Sequence, residues 1–475
     1  MSALKQYRVE ELLNFGFDMP LPCRLSTHAA KTIVCEKLLR FVPNKRFVIK
    51  GTVDSKTCII KVFYGAGHRR NFSRERAGST WNTQAGIATP AILETLQEEH
   101  FSILFFEYLQ NGCELGKILD DAIPELRIQL IQQVIETVAR QHLYGIQQND
   151  IHLNNFMLQE QKIFAIDGGT IQASVLGTPL DNESSLLNLA ALWAQLALTD
   201  DLVQDECLQE YAANRNWNWA EVKSEFINTL HKTRIQRLQR YEKKLFRETT
   251  AHLAFKSHRR FALCRRDRFS ETMGELLNEP DKFLLAGKIL KPGSSSTVSL
   301  VSIDKHLYVL KRYNLKSTWH RIKRLCRKSR AWNSWWAAHL FEMMGIETPM
   351  PVAMIEERWG PLRGRAYYLS EFAVGEDLLT AVTKNGVTVA QQFLGAVSSL
   401  FSTLGYYQFS HGDLKATNLL CCDGKLQVID LDAVKFHRRL GKARQQLNKD
   451  MQRFMENWRL DKPEYALFKK IVEVH

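Results

Sequence analysis

The sequence predicts an α+β fold made of two tandem domains, each a small β-rich lobe followed by a reduced helical lobe. The first observation is a recurrence. Asp150 precedes Asn155 by five positions and Asp167 by seventeen, and Asp413 precedes Asn418 and Asp430 by the same intervals, so one offset of 263 superposes both sets. Gly86-Ile87-Ala88-Thr89-Pro90 then pairs with Gly345-Ile346-Glu347-Thr348-Pro349, and Phe106-Glu107-Tyr108 with Ser370-Glu371-Phe372. Four matches in the same order identify an internal duplication. The second observation is that in each copy β-rich runs come before runs with helical apolar spacing. A chain of 475 residues, 45% hydrophobic, is long enough for two cores. No Pro- or Gly-rich linker separates the copies, so the boundary is placed within a basic helical region, giving domains 1–260 and 261–475.

Residues 1 to about 40 read as a helical preface, with Glu10–Leu13 and Ile33–Leu39 as its apolar stretches. Arg46–Lys50 and Thr57–Phe63 are β-rich and joined by a turn, and Ser102–Leu109 reads as the strand entering a hinge. Pro124–Tyr144 has helical spacing, as does the stretch from Leu186, and Glu221–Arg247 reads as one long basic helix. In the second copy, Phe283–Leu290 leads into a turn with Gly293, Ser294 and Ser295. Val298–Val301 and Leu307–Lys311 follow as strands, and a helix begins near Ser329.

The most informative stretch is His411-Gly412-Asp413-Leu414-Lys415-Ala416-Thr417-Asn418, followed by the apolar run Leu426–Ile429 and by Asp430-Leu431-Asp432. This spacing resembles the catalytic loop and metal-binding aspartate of the protein-kinase-like fold. Phosphoryl transfer needs a carboxylate near the acceptor hydroxyl and oxygen ligands for magnesium on the triphosphate. Asp413 fits the first role, Asn418 and Asp430 the second, and Lys415 is placed to neutralise the transferred group. In the first copy Asp150, Asn155 and Asp167 take these positions, with His152 in place of Lys415 and Gln148 in place of His411. The resemblance makes Lys61 and Lys311 the strand lysines that hold nucleotide phosphates. Glu75 becomes the helix partner of Lys61, and Glu342 a candidate partner for Lys311. Gly293, Ser294 and Ser295 would cover phosphates with backbone N–H groups and hydroxyls, and Glu371 lies at the hinge. The first copy has no glycine-rich phosphate loop.

Net charge is +13 and uneven. Residues 232–268 hold 13 basic against three acidic side chains, and residues 311–330 hold nine basic and no acidic ones. Such density suggests an anionic partner. A nucleic acid would explain the charge but leave the duplicated carboxylates unaccounted for. The nine cysteines are odd in number and scattered, without a C-x-x-C pair, which argues against a disulfide framework and a zinc site and for a reducing compartment. Neither an apolar signal core nor an uncharged run of about 18 apolar residues is evident, so a cytosolic protein is expected.

Leu310–Asn314, Ser329–Trp332, Gly345–Pro351, Gly364–Tyr368 and His411–Lys415 together resemble the lipopolysaccharide core kinase family, which phosphorylates heptose or related inner-core sugars. The likeness covers most of 283–460 and, more faintly, 41–195. It implies ATP and magnesium as cofactors, a lipid-linked glycan as acceptor, and work at the cytoplasmic face of the inner membrane. The basic runs would then hold an anionic acceptor near an acidic bilayer. Two other readings stay open: a kinase acting on a small molecule or a protein, and a non-catalytic nucleotide-binding scaffold.

Overall fold

Alternation of apolar and polar residues builds the first sheet. In the computed structural model of the chain, residues 4–27, 33–249, 251–293, 295–314, 328–360 and 362–474 are described. Arg46–Val53 and Lys56–Tyr64 form a hairpin whose turn residues, Asp54 and Ser55, both have positive φ, the geometry of a tight two-residue connection. Phe47, Ile49, Ile60, Val62, Ile103 and Phe105 are buried in one core cluster.

The chain divides into two compact units, Met1–Arg234 and Ile235–His475. The division lies inside the helix Trp219–Glu242, upstream of residue 260, because the hairpin His252–Lys256/Arg260–Arg265 is hydrogen-bonded into the second unit's sheet through Pro351–Trp359.

In the first unit a seven-stranded sheet runs in the order Gln6–Arg8, Cys23–Ser26, Ile33–Val42, Arg46–Val53, Lys56–Tyr64, Phe101–Glu107, Ile92–Gln97. The helical preface is half right: Val9–Phe15 is a helix, but Ile33–Val42 is a strand antiparallel to Arg46–Val53. Ile33 and Cys35 alternate into the core, and pairing on both edges outweighs the weak helical spacing of that run. The helix His68–Gln84 touches the turn at Gly168: a Cβ on Gly78 would stand 2.0 Å from the Gly168 carbonyl oxygen. Below the sheet, Pro124–Leu143 buries Leu130, Ile131, Val134, Ile135 and Val138 along one stripe. Two small sheets complete the unit, one ordered Lys162–Ala165, Phe156–Gln159, Cys113–Glu114, the other pairing Ile171–Ala173 with Ile146–Gln148.

The second unit's large sheet is ordered His252–Lys256, Arg260–Arg265, Pro351–Trp359, Leu362–Glu371, His306–Tyr313, Ser296–Ile303, Lys288–Pro292. Its five strands between 288 and 371 have the same neighbour order as the five between 33 and 107 in the first unit. The small sheets also match, with Lys425–Val428, Leu419–Cys422 and Glu376–Asp377 in one and Phe409–Ser410 with Lys435–Phe436 in the other. The helix Arg330–Met344 is capped by the Ser329 hydroxyl and ends at Gly345 in the left-handed region. Val387–Tyr406 carries no charge and is, by length and composition alone, long and apolar enough to cross a membrane, an exception to the sequence expectation. Its buried residues Phe393, Val397, Leu400, Phe401 and Leu404 recur along one face, the pattern of a core helix.

Candidate functional site

In the second unit a short hairpin brings the spaced residues together. Asn418 ends one helical turn before the strand Leu419–Cys422, and its partner Lys425–Val428 leads to Asp430. The Asn418 side-chain amide donates to the Asp413 carbonyl at 2.9 Å, and the Asn418 carbonyl accepts the Ile429 N–H at 2.9 Å. His411 Nε2 lies 3.0 Å from the Ile429 carbonyl; a carbonyl only accepts, so Nε2 carries the proton. Burial holds His411 below its ordinary pKa and keeps the ring neutral. The loop is fixed from behind by Asp450, which accepts the N–H groups of His411 at 2.6 Å and Gly412 at 2.9 Å. Asn333 on the helix Arg330–Met344 donates to the carbonyls of Asp432 and Val434, both at 3.0 Å, and so holds the turn after Asp430. Lys415 Nζ is 3.0 Å from Asp413 Oδ2.

Lys311 Nζ meets Asp430 Oδ1 at 2.5 Å and Asp432 Oδ2 at 3.3 Å, while Arg330 bonds Asp432 at 2.5 Å. Burial opposes the Lys311 ammonium, but Tyr313, Asp430 and Asp432 more than offset it and raise its pKa. Burial likewise opposes the Asp430 carboxylate, and the Lys311 charge overrides it, so Asp430 titrates below its usual range. The suggested partner Glu342 is not used: it lies in the last turn of its helix, 3.2 Å from His339, and two aspartates on the facing turn take the lysine. Gly293 and Ser295 lie between the strands Lys288–Pro292 and Ser296–Ile303, where Asn314 binds both carbonyls at 2.9 and 3.1 Å. A Cβ on Gly293 would meet the Ser296 carbonyl at 2.5 Å, so the turn needs glycine; Ser294 lies outside the described residues. The Glu371 side chain pairs with Arg268 at 2.8 Å. A cleft of about 470 Å³ is lined by Val298, Lys311, Ser370, Glu371, Asn418 and Asp430.

The first unit repeats this local bonding. Asn155 donates to the Asp150 carbonyl at 2.8 Å, its own carbonyl accepts Ile166 N–H at 2.8 Å, and Gln148 donates to the Ile166 carbonyl at 3.3 Å, where the second unit uses His411. Lys61 and Glu75 form the expected ion pair. Arg46 bridges Glu75 at 3.3 Å and Asp167 at 3.1 Å. Burial raises the Glu75 pKa, whereas at Asp167 burial is outweighed by Lys61 and Arg46, which hold it far below the usual carboxylate range. Lys61, Asn155, Asp167 and His152 line a cavity of about 1070 Å³.

Much of the basic charge is already matched. Arg234 is buried against Asp201, and Arg265, Arg266 and Arg268 pair with Asp267, Glu248 and Glu371. Of the second run, residues 315–327 lie outside the described residues; Arg312 pairs with Asp281, and Lys328 sits over the Trp332 ring. No motif points to Asp450 or Arg46, and Asp432 is visible only as part of Asp430-Leu431-Asp432.

Residues 292–470 match the model of the lipopolysaccharide kinase (Kdo/WaaP) family. Among solved structures, WaaP in complex with acyl carrier protein is similar at 19% identity over 43% of this chain and 88% of that one, with a TM-score of 0.35. Among curated proteins, none matches the chain.

Proposed function

We propose that the protein is an ATP-dependent phosphotransferase that phosphorylates a sugar hydroxyl, heptose or similar, of the lipopolysaccharide inner core, in the cleft of its second unit. One observation carries this reading: within the segment that matches the family, Lys311, Asn418 and Asp430 line a single cleft, and Asn418 anchors the loop bearing Asp413. Asp413 orients the acceptor hydroxyl and takes its proton. Lys415, beside it, faces charge developing on the transferred group, and Lys311 meets the nucleotide phosphates.

The residues present fit magnesium. The Asn418 amide nitrogen is spent on Asp413, leaving its oxygen to ligate, and Asp430 is held through Oδ1 with its side chain 37% exposed. Magnesium keeps several waters and takes one or two protein oxygens plus phosphates, which these two side chains could supply. When bound, the ion would neutralise phosphate charge. The first unit is a second kinase-like copy, a reading supported by the shared strand order and the shared bonding around Asn155 and Asn418. A lipid-linked acceptor would be met at the cytoplasmic face of the inner membrane, with the basic runs 232–268 and 311–330 toward anionic headgroups.

The test is magnesium-dependent transfer of labelled phosphate from ATP to purified lipopolysaccharide core by wild type, Asp413→Ala, Asp430→Ala and Asp167→Ala. Loss of about 10²-fold or more with Asp413→Ala and Asp430→Ala is expected. Full transfer by Asp413→Ala, or none by wild type, overturns the assignment.

A further inference from the structure

We propose that the cleft of the first unit binds a nucleoside di- or triphosphate without a divalent cation, the Arg46 guanidinium standing where the metal would be. This goes beyond the reading of the second unit and rests on different residues.

The two metal-position aspartates have different surroundings. Asp430 is engaged by one lysine and remains 37% exposed. Asp167 is 12% exposed and ringed by cations: Arg46 lies 3.1 Å and Arg40 3.9 Å from Oδ2, and Lys61 lies 3.6 Å from Oδ1. Arg46 is itself nearly buried and is fixed on its other side by Glu75. Glu75 also accepts the Gly169 N–H at 3.2 Å, which ties the turn after Asp167 to the same carboxylate. Lys61 and Arg46 therefore balance Glu75 and Asp167 before any ligand arrives, and Arg40 adds a further positive charge. A divalent ion entering here would meet a guanidinium already bonded to the carboxylate it needs. Asp167 does not fit a metal ligand in this setting.

Phosphates do fit. Arg40, Arg46 and Lys61 all line the cavity, and a guanidinium can meet a diphosphate at two oxygens. Val48, Ile59, Phe106, Met157 and Ile166 supply apolar walls in the same cavity, which favours a base-bearing ligand over free phosphate. With no metal to organise the terminal phosphate, the site holds nucleotide and does not transfer phosphate.

The experiment is calorimetric titration of full-length protein with ATP and ADP, in EDTA and in magnesium. The background carries Lys311→Ala and Asp430→Asn, which disable the second cleft. The expected result is one nucleotide per chain in EDTA, with affinity changed by less than about threefold on adding magnesium, and weakened about tenfold or more by Lys61→Ala. Arg46→Gln weakens the EDTA binding and makes the remainder magnesium-dependent. Should Arg46→Gln misfold, Asp167→Asn decides: nucleotide binding survives in EDTA if Arg46 does the holding. Absence of EDTA-resistant binding, or its abolition by Asp167→Asn, overturns the proposal. Inorganic pyrophosphate binding as tightly as ADP overturns the nucleoside part.

Discussion

Asp167 and Asp430 occupy the same unusual backbone conformation, with φ of 62° and 61° in the left-handed region, although neither is glycine. Each follows the second strand of a short hairpin. The strain turns the carboxylate away from the path that an extended strand would give it. A non-glycine residue in this region costs about 1 kcal/mol. Asp430→Gly is therefore expected to be about 1 kcal/mol more stable than Asp430→Ala by urea denaturation, since both lose the same ion pair to Lys311. Both should lose phosphotransfer alike, and equal stabilities would remove strain from the account of this turn.

Asp450 predicts a positioning effect. Asp450→Ala leaves the buried backbone donor of His411 without an acceptor, at roughly 1–3 kcal/mol, and frees the more exposed N–H of Gly412. The loop should loosen, lowering kcat while KM for ATP changes little, and Asp450→Asn, which keeps one acceptor oxygen, should recover part of the rate. Steady-state kinetics of both variants check this; an unchanged kcat in Asp450→Ala counts against it.

Asn333, on the helix Arg330–Met344, holds the turn after Asp430. Asn333→Leu keeps the volume but frees the carbonyls of Asp432 and Val434. Transfer is expected to fall about tenfold or more, the order of one to two lost hydrogen bonds, with Lys311→Ala no longer additive to it, because both substitutions disturb the same turn.

His142 gives a pH dependence. Its Nδ1 lies 2.7 Å from the Tyr211 hydroxyl and Nε2 3.0 Å from Asn188 Oδ1, so the neutral ring is satisfied with the proton on Nε2. Burial lowers its pKa from 6.5 to about 4. The unfolded chain takes up a proton first, so stability is complete above about pH 6.5 and declines as pH falls toward 4, by at most about 3 kcal/mol from this group. His142→Gln should remove this component from denaturation midpoints measured between pH 7 and 4.5. An unchanged slope would show that the ring is protonated in the folded state.

What was legible in the sequence was local. Asn418 and Asp430 stand twelve positions apart on either side of the hairpin Leu419–Val428, so their spacing alone brings them together, and the same holds for Asn155 and Asp167. Lys61 and Glu75 sit on a strand and the helix that follows it, a short-range relation. The unread parts depend on distant packing. Lys311 meets Asp430 across 119 positions, and Asp450 reaches the His411 loop from a later helix. Nothing in the sequence near Arg46 announces that it stands between Glu75 and Asp167. Ile33–Val42 failed for a related reason: its conformation is chosen by the strands on either side.

Gly78 and Gly168 leave no gap between the helix His68–Gln84 and the turn beside Asp167. A helix whose backbone rests on that turn cannot slide or swing without carrying the turn with it. Glu75 belongs to the helix and Asp167 to the turn, and Arg46 clasps both, so the charged groups of the first unit form a single clamp that is already shut. A molecule arriving there would find its receptor preassembled, and its message could be written only as presence or absence.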